Sequence, residues 1–170
     1  MLSFFFKSHK KEVIIRRSFV SPTGETVYIV DKIFLKNPHN NIRCMDIKGM
    51  PGHYSCVPLS KNDNTLHIYC YCEHFIPKTA KRCLVLGGAG GTIPRYILKE
   101  YESIVDVVEI NSFYIELSKK YFLNKFYRDK RIEFFNLDAR EYVISCKKRC
   151  KYDFIFCDLF ERDKVVEFVF

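Results

Sequence analysis

Between residues 82 and 157 the chain alternates short apolar runs with segments of helical spacing, and no other feature constrains the fold as tightly. Arg82 to Leu86, Ile104 to Ile110, Arg131 to Asn136 and Tyr152 to Cys157 are the apolar runs. Thr92 to Tyr101, Ser112 to Phe122 and Ala139 to Cys146 lie between them, with apolar residues returning every three or four positions. Parallel strands need a connection of about a dozen residues or more, and a helix supplies it. Strands alternating with such helices are therefore expected to form an α/β fold, a doubly wound, mostly parallel sheet.

Upstream of Pro77-Lys78-Thr79-Ala80-Lys81 the texture differs. Glu12 to Ile15, Thr26 to Phe34, Ile42 to Ile47 and Leu66 to Cys72 are rich in β-branched and aromatic residues, and turn clusters such as Ser21-Pro22-Thr23-Gly24 and Met50-Pro51-Gly52 separate them. Residues 1–76 are expected to be a small antiparallel β region, and residues 77–170 the parallel domain. At 170 residues, against roughly 150 per domain, the chain has room for one domain with an appendage. Its 48% hydrophobic content is enough for a core and excludes wholesale disorder.

No run approaches the roughly 18 apolar residues that a membrane span needs, and Leu2 to Phe6 is too short for a signal-peptide core. Arg16-Arg17 resembles a twin-arginine signal, but Ser21-Pro22-Thr23-Gly24-Glu25 stands where its apolar core belongs. A cytoplasmic protein without a membrane partner is expected. Its eight cysteines are then expected to be mostly reduced and buried. The net charge of +8 comes from clusters at Lys119-Lys120, Lys125 to Arg131 and Lys147 to Lys151, which read as a solvated face. No aromatic and basic signature accompanies them, so a nucleic-acid partner is not expected.

In doubly wound sheets a ligand sits outside the carboxyl ends of the strands, and polar chemistry follows each apolar run here. Gly87-Gly88-Ala89-Gly90-Gly91-Thr92 joins the first run to a helix; such a loop either makes a tight turn or lets a ligand approach the main chain at the positive end of the helix. It is neither a dinucleotide fingerprint, since the third glycine position is Ile93, nor a phosphate loop, which needs Gly-Lys-Ser/Thr. Glu109 ends the second run, 19 residues beyond Gly90, where a carboxylate can accept from ribose hydroxyls or simply face water. Asp138 follows the third and can cap the next helix, accept from an adenine amino group, or both. Asp158, Glu161 and Asp163 follow the fourth, either as an acidic surface loop or as carboxylates that attract an amine and take its proton.

Four segments in order carry a resemblance: Arg82-Cys83-Leu84-Val85-Leu86-Gly87-Gly88-Ala89-Gly90-Gly91-Thr92-Ile93-Pro94-Arg95, Val107-Val108-Glu109-Ile110, Leu137-Asp138-Ala139 and Lys151-Tyr152-Asp153-Phe154-Ile155-Phe156-Cys157-Asp158. Together they resemble spermidine synthases and spermidine-synthase-like proteins, in the S-adenosylmethionine-dependent methyltransferase superfold. The resemblance implies a Rossmann-like domain preceded by a small β domain. It implies S-adenosylmethionine or its decarboxylated form as the bound cosubstrate, and no metal. Gly87, Gly88 and Gly90 would line the cofactor loop, Glu109 would hold the ribose, and Asp138 with Ala139 would meet the adenine. Asp158 would be the catalytic aspartate that deprotonates the amine, with Glu161 and Asp163 on the substrate side.

The family's loops read Gly-Gly-Gly-Asp-Gly-Gly and Asp-Ser-Ser-Asp-Pro; here Gly90 stands at the loop aspartate, and Glu161 alone stands near the second acid. The resemblance, with the carboxylates of residues 158 to 163, implies aminopropyl transfer to a small-molecule amine; the missing loop aspartate favours methyl transfer, which is the alternative. The superfold usually has seven strands, and four are legible before Phe170. A C-terminally short homologue acting as a binding or assembly protein is the third reading, with a homo-oligomer supplying the missing cover.

His67, Cys70, Cys72 and His74 are soft ligands close in sequence, but on a strand they alternate faces and do not converge, so no metal is expected there. Cys146 and Cys150 flank a helix end and carry no redox signature. Tyr152 and Asp153 open the fourth run and so belong to the end of the sheet away from the ligand.

Overall fold

The computed structural model describes residues 3–5, 12–59, 75–88, 90–146, 151–161 and 164–165. The chain divides into two compact units, Met1–Tyr71 and Cys72–Phe170.

The first unit is an antiparallel meander of five strands in sequence order: β1 (Ser3–Phe5), β2 (Glu12–Val20), β3 (Thr26–Phe34), β4 (Ile42–Ile47) and β5 (Ser55–Pro58). Strands this close in sequence need only turns between them. Ser21 fastens the turn between β2 and β3, accepting at Oγ from the Glu25 amide at 3.0 Å. Val27, Ile29, Met45 and Val57 share one face and are buried. Asp31 lies on that face and is also buried, so its charge needs partners: Arg43 reaches it at 2.6 and 2.9 Å and Arg17 at 3.1 Å. The expected strand from Leu66 to Cys72 lies outside the described residues.

The second unit alternates as its sequence pattern predicts: β6 (Arg82–Leu86), α1 (Thr92–Glu100), β7 (Ile104–Val108), α2 (Ser112–Leu117), β8 (Ile132–Phe135), α3 (Ala139–Cys146) and β9 (Phe154–Cys157). The four strands are parallel, in the order β8-β7-β6-β9. Successive strands step outward from β6 to β8, and β9 then returns to the other side of β6, so the sheet changes winding direction between β6 and β9. This is an α/β, doubly wound Rossmann-like sheet, preceded by the antiparallel region. Leu84, Leu86 and Val108 pack against Ala139 and Tyr142 of α3 on one face. A short antiparallel pair, β10 (Phe160–Glu161) and β11 (Lys164–Val165), follows β9. Val165 thus pairs back on Phe160.

Two expectations change. The helix expected over Ser112 to Phe122 keeps α-geometry only to Leu117; it widens into a π-turn over Ser118–Leu123 and tightens into a 3-10 turn over Asn124–Arg128. Widening brings Phe122 and Leu123 fully inside, and Arg95 donates to the Phe122 carbonyl at 3.0 Å. Arg131, read from the sequence as one of a solvated basic cluster, instead ends α1: its guanidinium donates to the carbonyls of Leu98 (2.9 Å) and Tyr101 (2.8 Å). Cys44, Cys56 and Cys83 are buried free thiols, whereas Cys157 on the edge strand β9 is exposed. Among the described residues no helix is long and apolar enough to cross a membrane.

Candidate functional site at the carboxyl ends of the parallel strands

The strand ladder continues one residue past each strand end. The amide of Gly87 donates to the Val108 carbonyl (2.9 Å), that of Glu109 to the Phe135 carbonyl (3.0 Å) and that of Asp158 to the Leu86 carbonyl (2.9 Å). Backbone bonding therefore holds Gly87, Glu109 and Asp158 in adjacent rows at one edge, with Asn136 following β8.

Gly87 has φ +81°, a left-handed conformation that glycine adopts at little cost. A Cβ there would collide with the backbone carbonyl of Asp158, and one on Gly88 with Cγ1 of Val107. Gly91, also left-handed at φ +68°, begins α1 where a Cβ would meet Ser118 Oγ. Close packing thus explains Gly87, Gly88 and Gly91 even without a ligand. Gly90 is buried just ahead of the helix, and Ala89 lies outside the described residues.

Glu109 is buried at the rim, and its Oε1 accepts from the Asn111 amide at 2.9 Å. Asn111 in turn starts α2, its side chain accepting from the Phe113 amide at 3.0 Å. Asn136, to which the sequence assigned no role, donates through Nδ2 to the carbonyls of Glu109 (2.9 Å) and Ile110 (2.8 Å). It ties the loops after β7 and β8 together. Its position just past an apolar run was the available signal.

Asp138 accepts at Oδ1 from the Arg140 amide at 2.7 Å, while its carbonyl accepts from the Tyr142 amide at 3.0 Å. The helix-cap reading is thus realised, using one carboxylate oxygen. The Ala139 side chain belongs to the core against Leu86 and Tyr142.

Asp158 is exposed to solvent, yet the protein crowded around its carboxyl lifts its pKa above the ordinary aspartate value. Glu161 is placed by its backbone in β10, and Asp163 lies outside the described residues.

The other end of the sheet holds a different polar group. Asp153 accepts from the amides of Lys81 (2.7 Å) and Arg82 (2.9 Å), which lower its pKa. Asp106, within an apolar strand, is fully buried; its Oδ2 accepts from Arg82 Nη2 (2.6 Å) and from the Tyr152 hydroxyl (2.6 Å), and the Tyr142 hydroxyl lies 2.6 Å from that of Tyr152. These groups fasten β6, β7, α3 and the start of β9.

The profile of the spermine/spermidine synthase domain matches residues 67–170, more than half of the chain. The chain belongs to the spermine/spermidine synthase family. Solved spermidine synthases share its fold. One, in complex with the transition-state analogue AdoDATO, is 20% identical and superposes with a TM-score of 0.55 over 84% of this chain and 46% of its own. The enzyme from Thermotoga maritima is 21% identical, with a TM-score of 0.55 over 88% of this chain and 47% of its own. A probable spermidine synthase from Corynebacterium glutamicum is 20% identical, with a TM-score of 0.59 over 85% of this chain and 52% of its own. The chain thus spans about half the length of these structures. No curated protein sequence matches it.

Proposed function

We propose that the chain binds the thioadenosine part of decarboxylated S-adenosylmethionine or S-adenosylmethionine at the carboxyl edge of β6, β7 and β9, and transfers an aminopropyl group to a small-molecule amine. The observation that carries the reading is the row of Gly87, Glu109 and Asp158, held by backbone bonds beside the point where the sheet reverses its winding. Family membership supports the same ligand class. Gly87, Gly88 and Gly90 line the cosubstrate, the Glu109 carboxylate accepts from the ribose hydroxyls, and Asp138 with Ala139 faces the adenine.

In this reading Asp158 is the catalytic base. The amine nitrogen attacks the aminopropyl carbon next to the sulfonium, and a C–N bond forms as the C–S bond breaks. The bonding pair returns to sulfur, leaving neutral methylthioadenosine. The amine proton passes to the Asp158 carboxylate, whose raised pKa brings it closer to an amine-accepting range. Glu161 and Asp163 attract the cationic acceptor.

A second reading, methyl transfer from S-adenosylmethionine, is favoured by Gly90, which offers no carboxylate to hold the amino end of an aminopropyl chain. The chain incubated with a diamine and either cosubstrate separates the two. Methylthioadenosine together with a diamine heavier by one aminopropyl unit supports aminopropyl transfer. S-Adenosylhomocysteine with a methylated acceptor supports the alternative. Neither product leaves the non-catalytic binding or assembly role.

A further inference from the structure

The first unit contains a group of soft ligands that the family match over residues 67–170 does not include. Cys44 on β4 and Cys56 on β5 face each other directly across two antiparallel strands, sulfur to sulfur at 2.7 Å. The Leu59 amide bonds to the Asn41 carbonyl, and counting the alternation from that pair puts Cys44 and Cys56 at a non-hydrogen-bonded position, where facing side chains come closest. The turn between β4 and β5, with left-handed Gly49 and Gly52, brings His53 back over them. A ring nitrogen of His53 and the two sulfurs all lie within 4.8 Å of one another. The cysteines are buried and His53 is exposed, so the group opens to solvent on the histidine side.

We propose that Cys44, Cys56 and His53 form a binding site for a thiophilic divalent cation of the zinc class, with Asp46 orienting the imidazole and water in the fourth position. Two thiolates and an imidazole are a donor set that selects such an ion over the hard cations. Asp46 shares a face of β4 with Cys44, and its Oδ1 is 2.6 Å from His53 Nδ1. A carboxylate on Nδ1–H fixes the tautomer and leaves the Nε2 lone pair for a metal. That lone pair now meets the Lys32 ammonium at 2.9 Å, so a positive charge already occupies the mouth of the group.

The same charge reaches Cys44. Its pKa is lowered, first by the S–H that Cys56 donates to it and then by Lys32, against the opposing effect of burial. The Cys56 thiol is raised by that same bond and by burial. An entering dication replaces the ammonium, takes both sulfurs as thiolates and releases their protons. The sulfurs separate to about 3.8 Å, the spacing that two thiolates at about 2.3 Å from a tetrahedral ion require. The site does not depend on the transferase reading.

The test uses the full chain, reduced and stripped with a chelator, and titrated with Co²⁺ alone. One equivalent is expected to give a thiolate-to-cobalt charge-transfer band with tetrahedral visible absorption, both abolished by Zn²⁺. Cys44→Ser and Cys56→Ser are each expected to remove the band. Two substitutions nearer the surface serve where those variants do not fold. Asp46→Asn is expected to weaken Zn²⁺ binding about 10- to 100-fold, and Lys32→Ala to strengthen it by freeing Nε2. The proposal is overturned if the reduced chain gives no charge-transfer band, if Asp46→Asn leaves Zn²⁺ affinity unchanged, or if mass spectrometry finds Cys44 joined to Cys56 by a disulfide that survives reduction.

Discussion

The backbone carbonyl of Asp158 occupies the space that a side chain on Gly87 would need. The two residues follow β6 and β9, the neighbouring strands between which the sheet reverses its winding, so any side chain at position 87 pushes on the loop that carries the proposed base. One glycine thereby couples the loop after β6 to the loop after β9.

Gly87→Ala is expected to lose stability by roughly 1–3 kcal/mol from its left-handed backbone alone, and more from the collision. Gly24→Ala is the control: its φ of +83° is similar, but nothing lies within 4 Å of the added methyl. Denaturant unfolding of both variants isolates the collision as the difference between them. Equal losses would mean that the Asp158 loop yields freely.

Glu109→Ala is expected to weaken methylthioadenosine binding by about 1–3 kcal/mol through loss of charge-assisted hydrogen bonds. Because Oε1 also holds the Asn111 amide, the start of α2 should loosen and amide exchange at Asn111 should quicken. Faster exchange with unchanged affinity would confine Glu109 to that structural bond.

Crowding raises the pKa of Asp158 in the folded protein, so the folded state holds this proton more tightly than the unfolded chain does. The ionised carboxylate therefore detracts from stability at neutral pH, and the penalty fades as pH falls through the raised pKa. Transfer has the opposite dependence, because only the ionised form takes the amine proton, and the rate should fall over the same range. Asp158→Asn is expected to abolish transfer and to flatten this contribution to the melting temperature against pH. A variant that keeps turnover would remove Asp158 from the base role.

The match between sequence and fold was closest where a local signal coincided with a tertiary one. Asp138 caps α3, so the helix begins at Ala139 as the sequence pattern indicated, and the glycine loop falls between β6 and α1. Periodicity could not show that Phe122 and Leu123 both turn inward, which needs a π-turn. Nor could it show that Asp106, one polar residue in an apolar run, is paid for by Arg82 of β6 and by Tyr152 just ahead of β9. Cys44, His53 and Cys56 converge through a strand register and a turn. Spacing alone drew attention to His67, Cys70, Cys72 and His74, which lie outside the described residues.

Tyr152→Phe removes one donor from the buried Asp106 and leaves the Arg82 contacts at 2.6 and 3.0 Å in place. It is expected to cost about 1–3 kcal/mol in unfolding free energy. Because this group lies at the amino end of the strands, methylthioadenosine affinity should be unchanged in the folded variant. A large loss of affinity would mean that the two ends of the sheet are mechanically linked.

The central claim is that the carboxyl edge of β6, β7 and β9 is a thioadenosine pocket. Calorimetric titration of the purified chain with S-adenosylmethionine, decarboxylated S-adenosylmethionine and methylthioadenosine in parallel tests it most directly, since the three share the thioadenosine part and differ only in the chain that sulfur carries. Saturable binding of all three at one equivalent is predicted, with Glu109→Ala weakening each by a similar factor. Absence of binding by all three would contradict the claim and leave these loops as scaffold alone.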